Sequence, residues 1–248
     1  MVSEGDSLQL RVRYQPVEPR DEESPTGFVK LEQGEPGEDK GSAILLTPDE
    51  IDPDRRYPLF TVLHGAGRQD EALAKGYRDE PERRQAFFLI PRSVLPTWDL
   101  ISSSERPDLD FLEYAYDLIY RRYPIDPLQQ VLIGYSDGAS YALSVGLCNS
   151  TMFSALMVWA AGFLVLDPPT AERFREAIPD PRPRIYLEYG THDELFGFEQ
   201  VAIPMRDNLT KAGFDVTFSV DEGGRHWPSG TFHTEALDWY FEGAGTSV

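Results

Sequence analysis

Five residues in this chain have the types and spacing for nucleophilic chemistry: Gly134-Tyr135-Ser136-Asp137-Gly138. They follow the apolar run Val131-Leu132-Ile133 and precede Ala139-Ser140-Tyr141-Ala142-Leu143, which reads as a strand, a sharp turn and a helix. A serine on such a turn is lifted clear of the sheet, and flanking glycines let strand and helix approach closely. A free hydroxyl is a poor nucleophile and needs a base. Of the four histidines, His226 lies in Gly223-Gly224-Arg225-His226-Trp227-Pro228, directly after the last strand read from the sequence. A base of this kind is oriented by a carboxylate, and Asp193 follows the strand that ends at Tyr189. A fourth element is His64-Gly65-Ala66-Gly67, directly after the strand ending at Leu63. Small residues there let backbone amides reach a substrate carbonyl. The amides of Ala66 and Asp137, with Gly65 as neighbour, are the expected oxyanion-stabilising donors.

Plainer readings stand beside these. Ser136 could simply cap its helix. Glu194 and Asp167 compete with Asp193 for the acid. His64 is expected to support its loop, His192 to be a loop residue and His233 to be structural. Asp137 should contribute its amide alone, because its carboxylate would repel an oxyanion. Trp98, Phe163 and Trp227 are loop aromatics that either line a substrate pocket or pack.

The elements that must position these residues come next. Pro58 to Leu63 and Phe87 to Ile90 are nearly all-apolar, as buried parallel strands are, the latter ending at Pro91. Asp108 to Tyr123 repeats apolar residues at spacings of three and four and reads as a helix. Further strands are expected at Ala155–Trp159, Arg184–Tyr189 and Asp215–Val220, with helices at Val201–Ala212 and Phe232–Phe241. Strands alternating with helices predict an α/β fold with a mostly parallel, doubly wound sheet. Early strands at Leu8–Tyr14 (period-two alternation), Phe28–Leu31 and Ser42–Leu46 lack helices between them, which predicts an antiparallel N-terminal edge. Residues 1–248 read as one domain. Only the stretch from Gly162 to Pro183 separates two late strands, with one helix at Thr170–Ala177, so no large cap is expected.

Composition bounds the partners. The 248 residues carry 42 Asp and Glu against 23 Lys and Arg, a formal charge of −19, which disfavours nucleic acid and anionic lipid. Solubility and adaptation to high salt both account for such an excess. No apolar run approaches a membrane span, and the first residues lack a secretory pattern. The single cysteine, Cys148, reads as a buried thiol and excludes an intrachain disulfide. These features together predict a cytoplasmic protein. No cluster has metal-ligand spacing, so no metal is expected, and the oligomeric state is not legible.

The segments Leu63-His64-Gly65-Ala66-Gly67, Pro91-Arg92 to Thr97-Trp98-Asp99, Gly134 to Ser140, Gly190-Thr191-His192-Asp193 and Gly223-Gly224-Arg225-His226 resemble the compact serine esterases. These belong to the α/β hydrolases, in the group of the phospholipase/carboxylesterase and polyhydroxybutyrate-depolymerase-like enzymes. The resemblance runs from about residue 58 to 241 and departs in Arg225, which stands between Gly224 and His226. It implies the α/β-hydrolase fold and hydrolysis of carboxylic esters by a serine nucleophile, through an acyl-enzyme, with no metal or organic cofactor; the absence of a large cap adds the expectation that the ester is small. It places the catalytic roles on Ser136, Asp193 and His226. An acyltransferase or peptidase on the same triad, or a catalytically silent ligand receptor, are the alternatives.

Overall fold

The computed structural model describes residues 8–12, 14, 24–34, 40–99, 106–162, 170–228 and 230–244. Eight strands form one sheet: β1 (Phe28–Glu32), β2 (Ser42–Leu46), β3 (Tyr57–Leu63), β4 (Phe87–Arg92), β5 (Ile125–Tyr135), β6 (Ala155–Trp159), β7 (Arg184–Gly190) and β8 (Val216–Asp221). Their spatial order is β1-β2-β4-β3-β5-β6-β7-β8. β1 and β2 are antiparallel to their neighbours, and all pairings from β4 through β8 are parallel. Every residue of β3 and of β6 is buried, which explains why both are nearly all apolar without alternation.

The described residues also form seven α-helices, α1 (Asp70–Gly76), α2 (Glu80–Arg84), α3 (Pro107–Arg122), α4 (Asp137–Cys148), α5 (Ala171–Ala177), α6 (Ile203–Ala212) and α7 (Phe232–Ala244), and a π-helical segment (Phe198–Ala202) that leads into α6. Helix α4 packs on β5 and β6. Helix α7 brings Tyr240 and Phe241 against Phe60 of β3, and Phe60 stacks on Phe88 of β4. Between β6 and β7 the described residues hold only α5, capped by the Thr170 hydroxyl, which accepts from the Arg173 N–H. Among the described residues no helix is long and apolar enough to cross a membrane.

Three expectations change. Leu8 to Val12 form no strand. Leu8 and Leu10 are buried, as alternation demands, but their backbone is held by a side chain. Asn149 accepts from the Leu10 N–H (2.8 Å) and donates to the Leu8 carbonyl (2.8 Å). Alternation reports which side chains are buried, not what pairs with the backbone. Second, β4 runs through Pro91 to Arg92, because its pairing with β3 has already ended at Leu89 and the missing N–H breaks no bond there. Third, Cys148 is partly rather than fully buried.

The connection from β4 to α3 is tied by two carboxylates. Asp108 accepts from the Val94 N–H (2.6 Å) and the Asp99 N–H (2.7 Å). Asp99 answers by accepting from the Asp108 N–H (2.9 Å) and the Leu109 N–H (3.2 Å), orphan donors of the first turn of α3. Burial, reinforced by the Asp99 charge, pushes Asp108 up to about 7, against the N–H donors that favour its charged form. An acid raised in the folded state stabilises fully below its ordinary value of 3.8, and that stability is lost as pH rises through about 7. Thermal melts should therefore show a midpoint that falls between pH 5 and pH 8. The fall should be shallower in Asp99→Asn by on the order of 2–4 °C, about 1 kcal/mol for a chain this long. Equal slopes in the two proteins would refute the coupling.

Candidate active site

The turn after β5 decides the site. Ser136 has φ 53° and ψ −115°, a region that L-residues rarely adopt, and its side chain makes no cap bond to α4. The plain capping reading therefore fails. Both glycines of the motif are required by contact: a Cβ on Gly134 would collide with the backbone of Gly138 and Ala139, and one on Gly138 with the carbonyls of Leu63 and His64. Thus α4 starts pressed against the end of β3. The turn is tied to the sheet by the Ser136 N–H, which donates to the Trp159 carbonyl at 2.9 Å.

Ser136, His226 and Asp193 come from three separate loops and meet. The Ser136 Oγ lies 2.7 Å from His226 Nε2, and His226 Nδ1 lies 2.9 Å from Asp193 Oδ2. All three are buried. With Nδ1–H donating to the carboxylate, Nε2 is left to accept from the serine hydroxyl. The other carboxylate oxygen, Oδ1, accepts from the N–H groups of Leu195 and Phe196, both at 2.8 Å, so Asp193 is held at both ends. Glu194 and His192 are exposed and take no part in these bonds. Asp167 and Phe163 lie outside the described residues.

The loop carrying His226 is fastened on both sides, and Arg225 is accommodated. The carbonyl of Gly224 accepts from the His192 N–H (2.8 Å), and Thr191 Oγ1 accepts from the Gly223 N–H (2.8 Å). Trp159, buried at the end of β6, donates Nε1–H to the His226 carbonyl at 2.7 Å. Phe196 packs edge-on against the imidazole. Neither Trp159 nor Phe196 was expected at the site; an aromatic at a strand end gives no signal of which distant loop it will touch.

The segment 93–99 straps the two sides together. Trp98 donates Nε1–H to the His64 carbonyl (2.9 Å), the Pro96 carbonyl accepts from the Gly67 N–H (2.9 Å), and the Leu95 carbonyl accepts from Arg68 Nε (3.0 Å). Thr97 donates to the Asp137 carboxylate at 2.6 Å. That bond turns the Asp137 charge toward the strap. His64 accepts from the Ser93 N–H at Nε2 (3.1 Å), so its proton sits on Nδ1 and is donated to the Gly65 carbonyl (2.6 Å). Burial lowers its pKa, which keeps it neutral as the loop support expected of it. The Asp137 N–H, first in α4, has no intrahelical partner. No backbone bond engages the Ala66 N–H among the described residues, whereas the Gly67 N–H is taken.

A cavity of about 210 Å³ adjoins Ser136. Tyr77, Tyr135, Trp227, Phe232 and His233 line it, together with Gly65. A Cβ added to Gly65 would stand 3.5 Å from that of Ser136. Trp227 is 60% exposed on its rim, in keeping with a pocket role. Trp98 corrects the sequence reading: it is 1% exposed, stacked between His64 and Tyr141, and supports the loop rather than lining the cavity. Its indole needs a partner when buried, and the His64 carbonyl supplies one. His233, with its ring 5.5 Å from that of Tyr77, belongs to the cavity wall and not to the serine.

No protein-family model matches the sequence, and no curated protein sequence matches it. Solved structures do. A thermostable esterase superposes with a TM-score of 0.67 at 22% identity over 87% of this chain; the chain spans 62% of that protein's length. A CE1 ferulic acid esterase from Anaeromyces mucronatus in complex with ferulic acid gives 0.66 at 14% identity, over 92% of this chain and 97% of the other. An S-formylglutathione hydrolase from Agrobacterium tumefaciens gives 0.61 at 16%, over 88% and 96%. At such identities the likeness is one of fold. The strand order, the antiparallel edge and these superpositions make this chain an α/β hydrolase in fold.

Proposed function

We propose that this chain is a serine esterase acting on small carboxylic esters through an acyl-enzyme. The observation that carries the reading is the unbroken line of bonds from the strained Ser136 through His226 to Asp193. In this reading the Ser136 oxygen attacks the ester carbonyl carbon while its proton passes to His226 Nε2. The tetrahedral intermediate collapses, and the departing alkoxide takes that proton. Water then attacks the acyl-enzyme by the same relay and releases the acid. Asp193 holds the Nδ1–H tautomer and steadies the imidazolium. The amides of Ala66 and Asp137, beside Gly65, receive the developing oxyanion. The thermostable esterase and the ferulic acid esterase among the similar structures support ester hydrolysis as the reaction class.

Ser136→Ala should lower kcat on p-nitrophenyl acetate by about 10⁴-fold or more and abolish labelling by a fluorophosphonate, with the fold intact by circular dichroism. Near wild-type turnover in the purified variant would refute the assignment. A protein that binds esters but takes no label would instead be a silent receptor.

Thr97→Val should free the Asp137 carboxylate to approach the oxyanion. We expect kcat to fall about tenfold with KM little changed, because moving a donor costs less than the 10²–10³ of deleting one. Thr97→Ser should restore it. A matching rise in KM would make Thr97 a binding residue instead.

The cavity is smaller than the roughly 300–1,000 Å³ of drug-sized sites. Each methylene left in water forgoes about 0.8 kcal/mol of burial. Across p-nitrophenyl esters, kcat/KM should therefore peak at about two to six acyl carbons, as suits a shallow pocket. A peak at ten or more, or a jump above the micelle threshold, would point to a lipase.

A further inference from the structure

We propose that the cavity beside Ser136 selects a short substrate group bearing a neutral hydrogen-bond acceptor at its far end, and that the Tyr77–Tyr135 hydroxyl pair recognises that acceptor. The proposal rests on the esterase reading and adds a substrate class to it.

Two phenols line this cavity, and their oxygens lie 2.8 Å apart. Each hydroxyl has one proton to give. The bond between them uses one proton, whichever residue donates it. Among the described residues neither hydroxyl has a second partner. One O–H is therefore left over in the wall of a mostly aromatic and aliphatic pocket, whose other polar side chains are Gln69 and His233. A buried donor without an acceptor is costly, and a ligand that supplies the acceptor removes that cost. The acid–base state of the pair favours this use. Burial raises both phenols, so both stay protonated donors at any pH the enzyme would meet.

The acceptor should be uncharged. Glu80 acts on Tyr77 and Glu188 on Tyr135 as negative neighbours, and the chain as a whole carries −19. A carboxylate would meet repulsion where an ether, carbonyl or hydroxyl oxygen would not. The position suits a substrate group leaving the reacting carbonyl. Tyr135 immediately precedes Ser136, and Tyr77 packs against His233 while Tyr135 packs edge-on against Phe232. The stem of the group would lie along these rings, with its oxygen at the hydroxyls.

The experiment compares isosteres that differ only in a distal ether oxygen, which accepts and cannot donate. In the acyl arm, p-nitrophenyl 4-methoxybutanoate is set against p-nitrophenyl hexanoate. In the alcohol arm, 4-methoxybutyl acetate is set against hexyl acetate. The readout is the ratio of kcat/KM, ether over alkyl, in wild type, Tyr77→Phe, Tyr135→Phe and the double variant. Either single variant retains one unshared O–H and should keep the ratio. The double variant has none, and the ratio should fall about tenfold in whichever arm occupies the cavity. An unchanged ratio in both arms, with turnover present, would overturn the subsite and leave the serine reading standing. A second readout does not need turnover: titration of the same four proteins with 4-methoxybutan-1-ol and hexan-1-ol, followed by tryptophan fluorescence through Trp227 on the rim. Loss of the ether preference in the double variant alone, in a protein that hydrolyses no ester, would sink the serine reading and keep the subsite. Equal affinity ratios in all four proteins would overturn the subsite by itself.

Discussion

The backbone at Ser136 constrains everything around it. Its φ of 53° is unfavourable for a residue with a side chain, and a turn of this kind persists only where surrounding structure over-determines it. Here the determinants are visible. The Ser136 N–H is held by the carbonyl of Trp159 on the neighbouring strand, and its own carbonyl accepts the first bonds of α4 from Ala139 and Ser140. Gly134 and Gly138 remove the two Cβ atoms that would otherwise prop strand and helix apart. The strain is thus met by parallel strand pairing and helix initiation, and it leaves the hydroxyl facing the loop that carries His226.

Around this turn, the polar groups of His64, Trp98 and Asp137 each meet a partner. His64 is buried, yet both ring nitrogens have backbone partners, and burial keeps it neutral. Trp98 is buried, yet its N–H closes on the carbonyl next to the proposed amide donors. Asp137 carries a charge at the place least suited to one, and Thr97 engages it from the strap. The reciprocal bonds of Asp99 and Asp108 lock the far end of the same strap to the start of α3. Two loops far apart in sequence, at residues 64–67 and 136–137, are thereby held as one rigid unit. An oxyanion site gains from such preorganisation because its donors need no rearrangement when charge develops.

The cavity follows from the same arrangement. The stretch from β3 into α1 supplies Gly65 and Tyr77's neighbourhood, β5 supplies Tyr135, and the start of α7 with the loop before it supplies Trp227, Phe232 and His233. Its walls are aromatic because these are the residues that fill the space between β5 and α7. The pair of facing phenols in its wall is the place where packing alone leaves a proton unassigned.

Much of this was legible in the sequence, for definite reasons. The apolar runs of β3 and β6 are buried on both faces, so composition alone marks them. The spacing of α3 and the Gly134–Gly138 motif occupy short stretches of chain; Gly134 is required by local contact with Gly138 and Ala139, whereas Gly138 is required by the distant carbonyls of Leu63 and His64. The order of Ser136, Asp193 and His226 along the chain could be read because each follows a strand. What the chain order left open was which acid meets His226, and that depends on how the loops after β5, β7 and β8 stand at the sheet edge. Only the tertiary structure brought Asp193, not Glu194, onto His226, and withdrew Trp98 from the pocket into the support of the loop. The same holds for Leu8 and Leu10, whose alternation announced burial but not that Asn149 would take the place of a neighbouring strand. Periodicity records the environment of side chains; the partners of polar groups are set by distances between segments that one dimension does not contain.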